Sequence, residues 1–391
     1  MKKLIIAILL LLVGLAGCGE KTQPVTINYN EIDNIIILID LLPSPVTEED
    51  RVDVENIKLR YDALTDEEKE LVTNFDIFDT ALKYFQAIDD TIEQTNKVFD
   101  DLAAYYDEYV PEMVYDNLEF PTSHKTEIGD VDIIWGTSDV HTISTKGQVI
   151  RGRKNINVEL TTTFIFDKMR ASYKQNAIVK SISLPLLPKK NLAVGYVMSS
   201  RNFTGLSETA LKTLDIVNYA FASIADHKVV VNSLANLEVM LDARRHGVRV
   251  LLCIGGYGEG AVPFSKAASS PENRIMFAKS IVDAVEKYHF DGVDIDWEYP
   301  GFYGKADYVV PKDDKGNYNL LIAEIRKQLK AANNDYLITA AVPGGSNYPY
   351  NYDLEGLNPL LDYFNLMTYD FDDRNTSSHV ASLYSSSNSA A

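Results

Sequence analysis

Cysteine is nearly absent from this chain: Cys18 and Cys253 are the two thiols among 391 residues. That excludes the dense disulfide framework of a small secreted scaffold, so the fold must rest on packed cores. Basic charge is also in deficit, with 37 Lys and Arg against 56 Asp and Glu and a formal charge of -19. Such an excess repels phosphate backbones and anionic surfaces, so no nucleic acid partner is expected, and a neutral polymer suits the chain better. Apolar length is short too. The N-terminal run from Leu4 to Ala16 cannot cross a bilayer as a mature helix. A chain of 391 residues does have room for two or three domains.

What is present begins with Met1-Lys2-Lys3, the apolar run, and Leu15-Ala16-Gly17-Cys18. A positive start, a short apolar stretch and small residues before a break describe an export signal over 1–17. Leu-Ala-Gly-Cys resembles the bacterial lipobox, which implies acylation of Cys18 and a lipid anchor on the outer face of the cell membrane. A polar tether over 18–26 follows. From 27 to 88 the apolar residues fall at helical spacing: Ile32, Ile35, Ile36 and Ile39, then Val54, Ile57, Tyr61 and Leu64. Pro43 and Pro45 end the first helix and Thr47-Glu-Glu-Asp starts the next. This stretch resembles a small helical module of secreted bacterial surface proteins, read here as a spacer. Residues 89–117 are read as a tyrosine-rich helical connector. Over 118–187 the period changes to two, and the order of its short strands resembles a bacterial immunoglobulin-like β-sandwich.

Past the proline-punctuated linker at 184–190, strands and helices alternate. Strands are expected at 192–198, 215–222, 248–254, 291–296, 336–341 and 363–368. That alternation means a parallel sheet with right-handed crossovers, either doubly wound or closed into a barrel. Residues 291–298, Asp-Gly-Val-Asp-Ile-Asp-Trp-Glu, decide between them. On a strand, Asp294, Asp296 and Glu298 share one face, while Val293, Ile295 and Trp297 share the other. Two or three carboxylates cannot face a helix layer, but they can face the lumen of a barrel, with Glu298 at its C-terminal rim. Crowded carboxylates raise one another's pKa, which turns one of them into a proton donor near neutral pH. Asp296 and Glu298 lie roughly 6.6 Å apart along one strand and approach a substrate from one side. The nucleophile must therefore come from elsewhere, and a 2-acetamido sugar carries one beside its anomeric carbon.

Asp291 to Glu298, followed by Tyr299-Pro300, resembles the signature of glycoside hydrolase family 18, the chitinase family. Gly195-Tyr196, Asn218-Tyr-Ala-Phe221, Ile254-Gly-Gly256 and Met367-Thr-Tyr-Asp370 follow the family's order. The resemblance implies a (β/α)8 barrel over 188–391, cleavage of β-1,4-linked N-acetylglucosamine polymers such as chitin, a substrate-assisted retaining mechanism, and no metal or organic cofactor. It implies that Glu298 is the acid and base, that Asp296 orients the acetamido group, and that Asp294 shares a proton with Asp296. Tyr369 would bond the acetamido carbonyl, with Met367 and Asp370 lining the same subsite. Tyr196 and Phe221 would shape its floor, and Gly255, Gly256, Tyr257 and Tyr299 would complete the substrate-binding set. Asp291 and Cys253 are read as structural support. Cys253 stands where the family usually has Ser, and a thiol is the weaker hydrogen-bond partner. Tyr257 replaces a frequent Trp. After Asp370 the family pattern would continue for two strand–helix units, whereas this sequence runs into a Ser/Asn/Ala-rich tail. The expectation is a barrel open after its sixth strand. Two alternatives accompany the chitinase reading: an endo-β-N-acetylglucosaminidase, and a glycan-binding fragment without catalysis.

Overall fold

The computed structural model describes residues 27–187, 191–201, 205–258, 261–301, 313–344, 349–370 and 380–381. The export signal, the lipid-bearing Cys18 and most of the serine-rich tail lie outside the described residues. The chain divides into two compact units, 1–97 and 98–391.

The first unit is helical: α1 (Tyr29–Asp40), α2 (Arg51–Asp62), α3 (Asp66–Lys69) and the first part of α4 (Phe75–Tyr109). Its core is the anticipated stripe, with Ile32, Ile35, Ile39, Val54, Ile57 and Leu64 packed around Phe78. Asp50 accepts a hydrogen bond from Thr47 N at 2.7 Å just before α2, where the capping signal was read. The presumed connector is no separate element, because α4 is one helix of 35 residues.

The second unit begins with the rest of α4 and five strands: β1 (Met113–Val114), β2 (Ser123–Thr126), β3 (Gly129–Thr137), β4 (Ile156–Phe166) and β5 (Met169–Val179). The expected two-layer sandwich is not what forms among the described residues. The five strands make one sheet, ordered β1-β5-β4-β3-β2. The place of a second sheet is taken by α4, whose Phe99, Leu102 and Tyr106, with Val110 just after it, cover Val131, Ile133, Trp135, Val158 and Phe164. The alternating strand pattern shows that one face is buried, but not whether a sheet or a helix buries it.

The remaining strands are β6 (Val194–Met198), β7 (Ile216–Ala225), β8 (Lys228–Val230), β9 (Arg249–Gly255), β10 (Gly292–Asp296), β11 (Leu337–Pro343) and β12 (Tyr363–Met367). Six of them pair in parallel in the order β12-β11-β10-β9-β7-β6, with β8 as a hairpin on β7. All six match the expected strands to within three residues. The β7–β8 hairpin turns on Asp226 and His227, both at positive φ. Such a turn normally advertises itself with Asn-Gly or Asp-Gly, so it left no signal in the sequence. Helices α5 (Glu208–Thr213), α6 (Leu237–Asp242), α7 (Ala261–Ala268), α8 (Pro271–Lys287), α9 (Asp314–Ala332) and α10 (Leu354–Leu357) fill the crossovers. Among the described residues the sheet is an open arc with β6 and β12 as its edges.

The arc and the five-stranded sheet belong to one compact unit and share a buried polar contact. Arg244 Nη1 donates to the carbonyl oxygens of Arg151 and His289 at 2.8 and 2.9 Å. The His289 ring bonds Thr142 at 2.9 Å.

Candidate active site

Strand β10 sits at the centre of the arc, and its two faces divide as the alternation requires. Val293, Ile295 and Trp297 enter the main hydrophobic cluster under the helices. Trp297 stacks on Phe264 with ring centroids 5.4 Å apart. Asp294 and Asp296 point the opposite way and are buried.

Asp294 accepts four hydrogen bonds. Tyr196 Oη donates at 2.7 Å and Cys253 Sγ at 3.2 Å to one oxygen, while Thr339 Oγ1 at 2.6 Å and Asn365 Nδ2 at 3.0 Å donate to the other. Those donors come from β6, β9, β11 and β12, so one carboxylate ties both edges of the arc to its centre. Four donors fill the acceptor capacity of a carboxylate. The charge of Asp294 acts on its neighbour Asp296 on the same strand face.

Asp296 is the reverse case. Its Oδ1 is buried without a hydrogen-bond partner. Burial first, then the charges of Glu298 and Asp294, push its pKa up to about 8. Glu298 follows the strand end and is half-buried. Burial raises its pKa, with a further push from Asp370 and an opposing hydrogen bond from Tyr299. The pKa of the Tyr369 hydroxyl is raised by burial and then by the charges of Asp296 and Glu298.

The glycines have a steric cause. Gly255 pairs with Asp296 at φ +112°, and a Cβ there would meet the Asp296 carbonyl oxygen at 2.2 Å. Gly256 donates its N–H to that same oxygen at 2.9 Å, and its missing side chain leaves room for the Phe221 ring. Tyr257, Tyr369 and Asp370 stand exposed at the C-terminal ends of β9 and β12, and Tyr299 is buried beside Glu298. Met367, at the end of β12, packs against the core cluster.

Asp291 belongs elsewhere. It accepts from Val250 N at 3.0 Å and pairs with the buried Arg244 at 3.1 Å, so it anchors the start of β10 against β9, away from the lumen. Thr339 and Asn365 are the residues that sequence reasoning missed. Both interrupt apolar strands, and Thr339 lies in register with Asp294. A polar residue at an inward position beside the acid strand was the signal that could have found them. Among the described residues no group of three His, Cys, Asp or Glu is arranged to hold a metal ion.

The family model described as Glycosyl hydrolases family 18 matches residues 193–391. Over 129 residues the chain is 38% identical to Chitinase A1 of Niallia circulans, covering 32% of this chain and 18% of that protein. Over 181 residues it is 30% identical to Chitotriosidase-1 of Mus musculus, covering 43% of this chain and 38% of that protein. A solved family 18 N-acetylglucosaminidase from Paenibacillus barengoltzii is similar at 32% identity and a TM-score of 0.45, over 50% of this chain and 60% of that one. The chain therefore spans less than half the length of these two curated relatives.

The raised pKa of Asp296 makes a prediction about stability. An unfolded Asp titrates near ~3.9, while Asp296 in the fold titrates at about 8. The folded protein thus holds a proton that the unfolded chain releases between those values, so this group's stabilisation is full at low pH and is lost as pH rises to about 8. Each unit of elevation is worth about 1.4 kcal/mol. Melting curves of Asp296→Asn should flatten the fall in stability with pH and exceed the parent at pH 8 and above, and an unchanged slope would contradict this assignment.

Proposed function

This chain belongs to the family 18 glycosyl hydrolases, and from that premise we propose that it hydrolyses β-1,4 linkages between N-acetylglucosamine units, with chitin or its oligomers as substrate. The two curated relatives carry the names of a chitinase and a chitotriosidase, which directs the choice of polymer. The observation that carries the chemistry is the contrast on β10. Asp294 is saturated with hydrogen bonds, whereas Asp296 is buried with a free oxygen two residues before Glu298.

In this reading Glu298, whose hold on its proton burial strengthens, donates that proton to the glycosidic oxygen. The bond from the anomeric carbon to that oxygen breaks, and the departing sugar leaves as a free hydroxyl. The acetamido carbonyl oxygen of the substrate closes on the anomeric carbon from the opposite face and forms an oxazolinium ring. The free Asp296 oxygen accepts from the acetamido N–H as positive charge builds on that nitrogen. The Tyr369 hydroxyl, whose pKa the charges of both acids raise, donates to the acetamido oxygen and orients it for attack. Glu298, now a carboxylate, takes a proton from water, and the hydroxide attacks the anomeric carbon and reopens the ring. Two inversions leave the configuration retained, an exception to the two-carboxylate scheme.

Two variants test the assignment in the intact protein. Glu298→Gln should lower kcat on N-acetylglucosamine oligomers by about 10²–10⁴-fold. Asp370→Asn removes a charge that raises the Glu298 pKa, so the alkaline limb of the pH–rate profile should move to lower pH. Normal turnover in Glu298→Gln would remove Glu298 as the acid.

We also propose that Cys18 is acylated and tethers the enzyme outside the cell membrane, with the helical module as spacer. The sequence Leu15-Ala16-Gly17-Cys18 supports it. Fatty-acid labelling in a bacterial host should mark the parent and not Cys18→Ala; equal labelling of both would end the proposal.

A further inference from the structure

We propose that the groove between the last turns of α4 and strands β4 and β5 is a second glycan-holding site, separate from the acid strand. It would take one or two units of a neutral, N-acetylated sugar chain. The choice of sugar rests on the function proposed above, while the groove rests on its own geometry.

The small side chain of Ala103 faces the sheet and leaves a cleft of about 330 Å³ lined by Ala103, Asp107, Thr162, Tyr173, Lys174 and Gln175. That volume is at the low end for small-molecule sites, which limits the occupant to one or two sugar rings. Thr162 pairs with Tyr173, and Gln175 lies two residues on, so all three side chains share the face turned toward α4. Thr162 is only 2% exposed, and its Oγ1 has no hydrogen-bond partner. A buried hydroxyl left in that state costs free energy that a ligand carrying its own donors and acceptors would return.

The charges around the groove select the class of ligand. The Lys174 ammonium is already engaged by Glu159 at 2.7 Å. The Tyr173 hydroxyl donates to Asp100 at 2.7 Å, and its ring, 5.6 Å from Phe164 between centroids, also lines the groove. Asp100 and Asp107 put negative charge at the rim and disfavour phosphate and carboxylate ligands. What remains is an aromatic ring, an amide and a hydroxyl, a set that fits the apolar face and the amide and hydroxyl groups of an N-acetylated pyranose.

The test uses the intact protein carrying Glu298→Gln, titrated calorimetrically with the N-acetylglucosamine hexamer. Two binding events are expected, one in the acid cleft and one in the groove. Thr162→Val keeps the side chain's shape and removes the hydroxyl, and Gln175→Ala acts on the half-buried amide, so at least one of the two should stay folded by its melting curve. Either should weaken one event by about tenfold or more. With Glu298 restored, hydrolysis of short soluble oligomers by the same groove variants should be unchanged. A single binding event, or two events untouched by both substitutions, overturns the groove. Retained turnover in Glu298→Gln would instead sink the catalytic reading and leave the count of binding events to decide the groove by itself.

Discussion

The structure of the catalytic body depends on one buried carboxylate. Asp294 accepts from Tyr196, Cys253, Thr339 and Asn365, side chains that arrive from four other strands of the arc. A buried carboxylate without partners costs several kcal/mol, so those four donors are the condition on which an acid can stand at this place at all. They also fix geometry. Because the donors include both edge strands, the same bonds that satisfy Asp294 hold the sheet curved around it. The thiol of Cys253 takes its place in this set as a modest donor at 3.2 Å.

Once Asp294 is saturated, the neighbouring acids fall into different roles. Asp296 is also buried but has an oxygen without a hydrogen-bond partner, so its environment favours the proton. Glu298, just past the strand end, is partly open to solvent. The backbone at Gly255 and Gly256 closes against the Asp296 carbonyl, which keeps this part of the strand from shifting. Three carboxylates two residues apart thus stand in three different environments: one saturated with hydrogen bonds, one buried with an unpartnered oxygen and one partly open to solvent.

Much of this was legible in the sequence. The alternation of Asp294, Asp296 and Glu298 against Val293, Ile295 and Trp297 gave both faces of β10, because one residue of slip would reverse them. The six parallel strands could be read because each is a short apolar run between helix-period stretches. Thr339 and Asn365 stayed hidden, because a single polar residue in an apolar strand has no meaning until the register puts it beside Asp294. The sheet behind α4 was misread for a related reason: period two reports a buried face and says nothing about what covers it. Asp291, read as structural support and not as one of the acids, faces away from Asp294, because residues 291 and 294 differ by an odd number.

The central claim is that, of the two buried aspartates of the acid strand, Asp296 holds a proton at pH 7 while Asp294 serves as a saturated anchor. Infrared difference spectroscopy of the intact protein at pH 7, with isotope-labelled aspartate, reads a protonated carboxyl group directly. The account predicts a label-shifted protonated-carboxyl band that disappears in Asp296→Asn and persists in Asp370→Asn. A label-shifted band that survives Asp296→Asn, or the absence of any such band in the parent protein at pH 7, would contradict it.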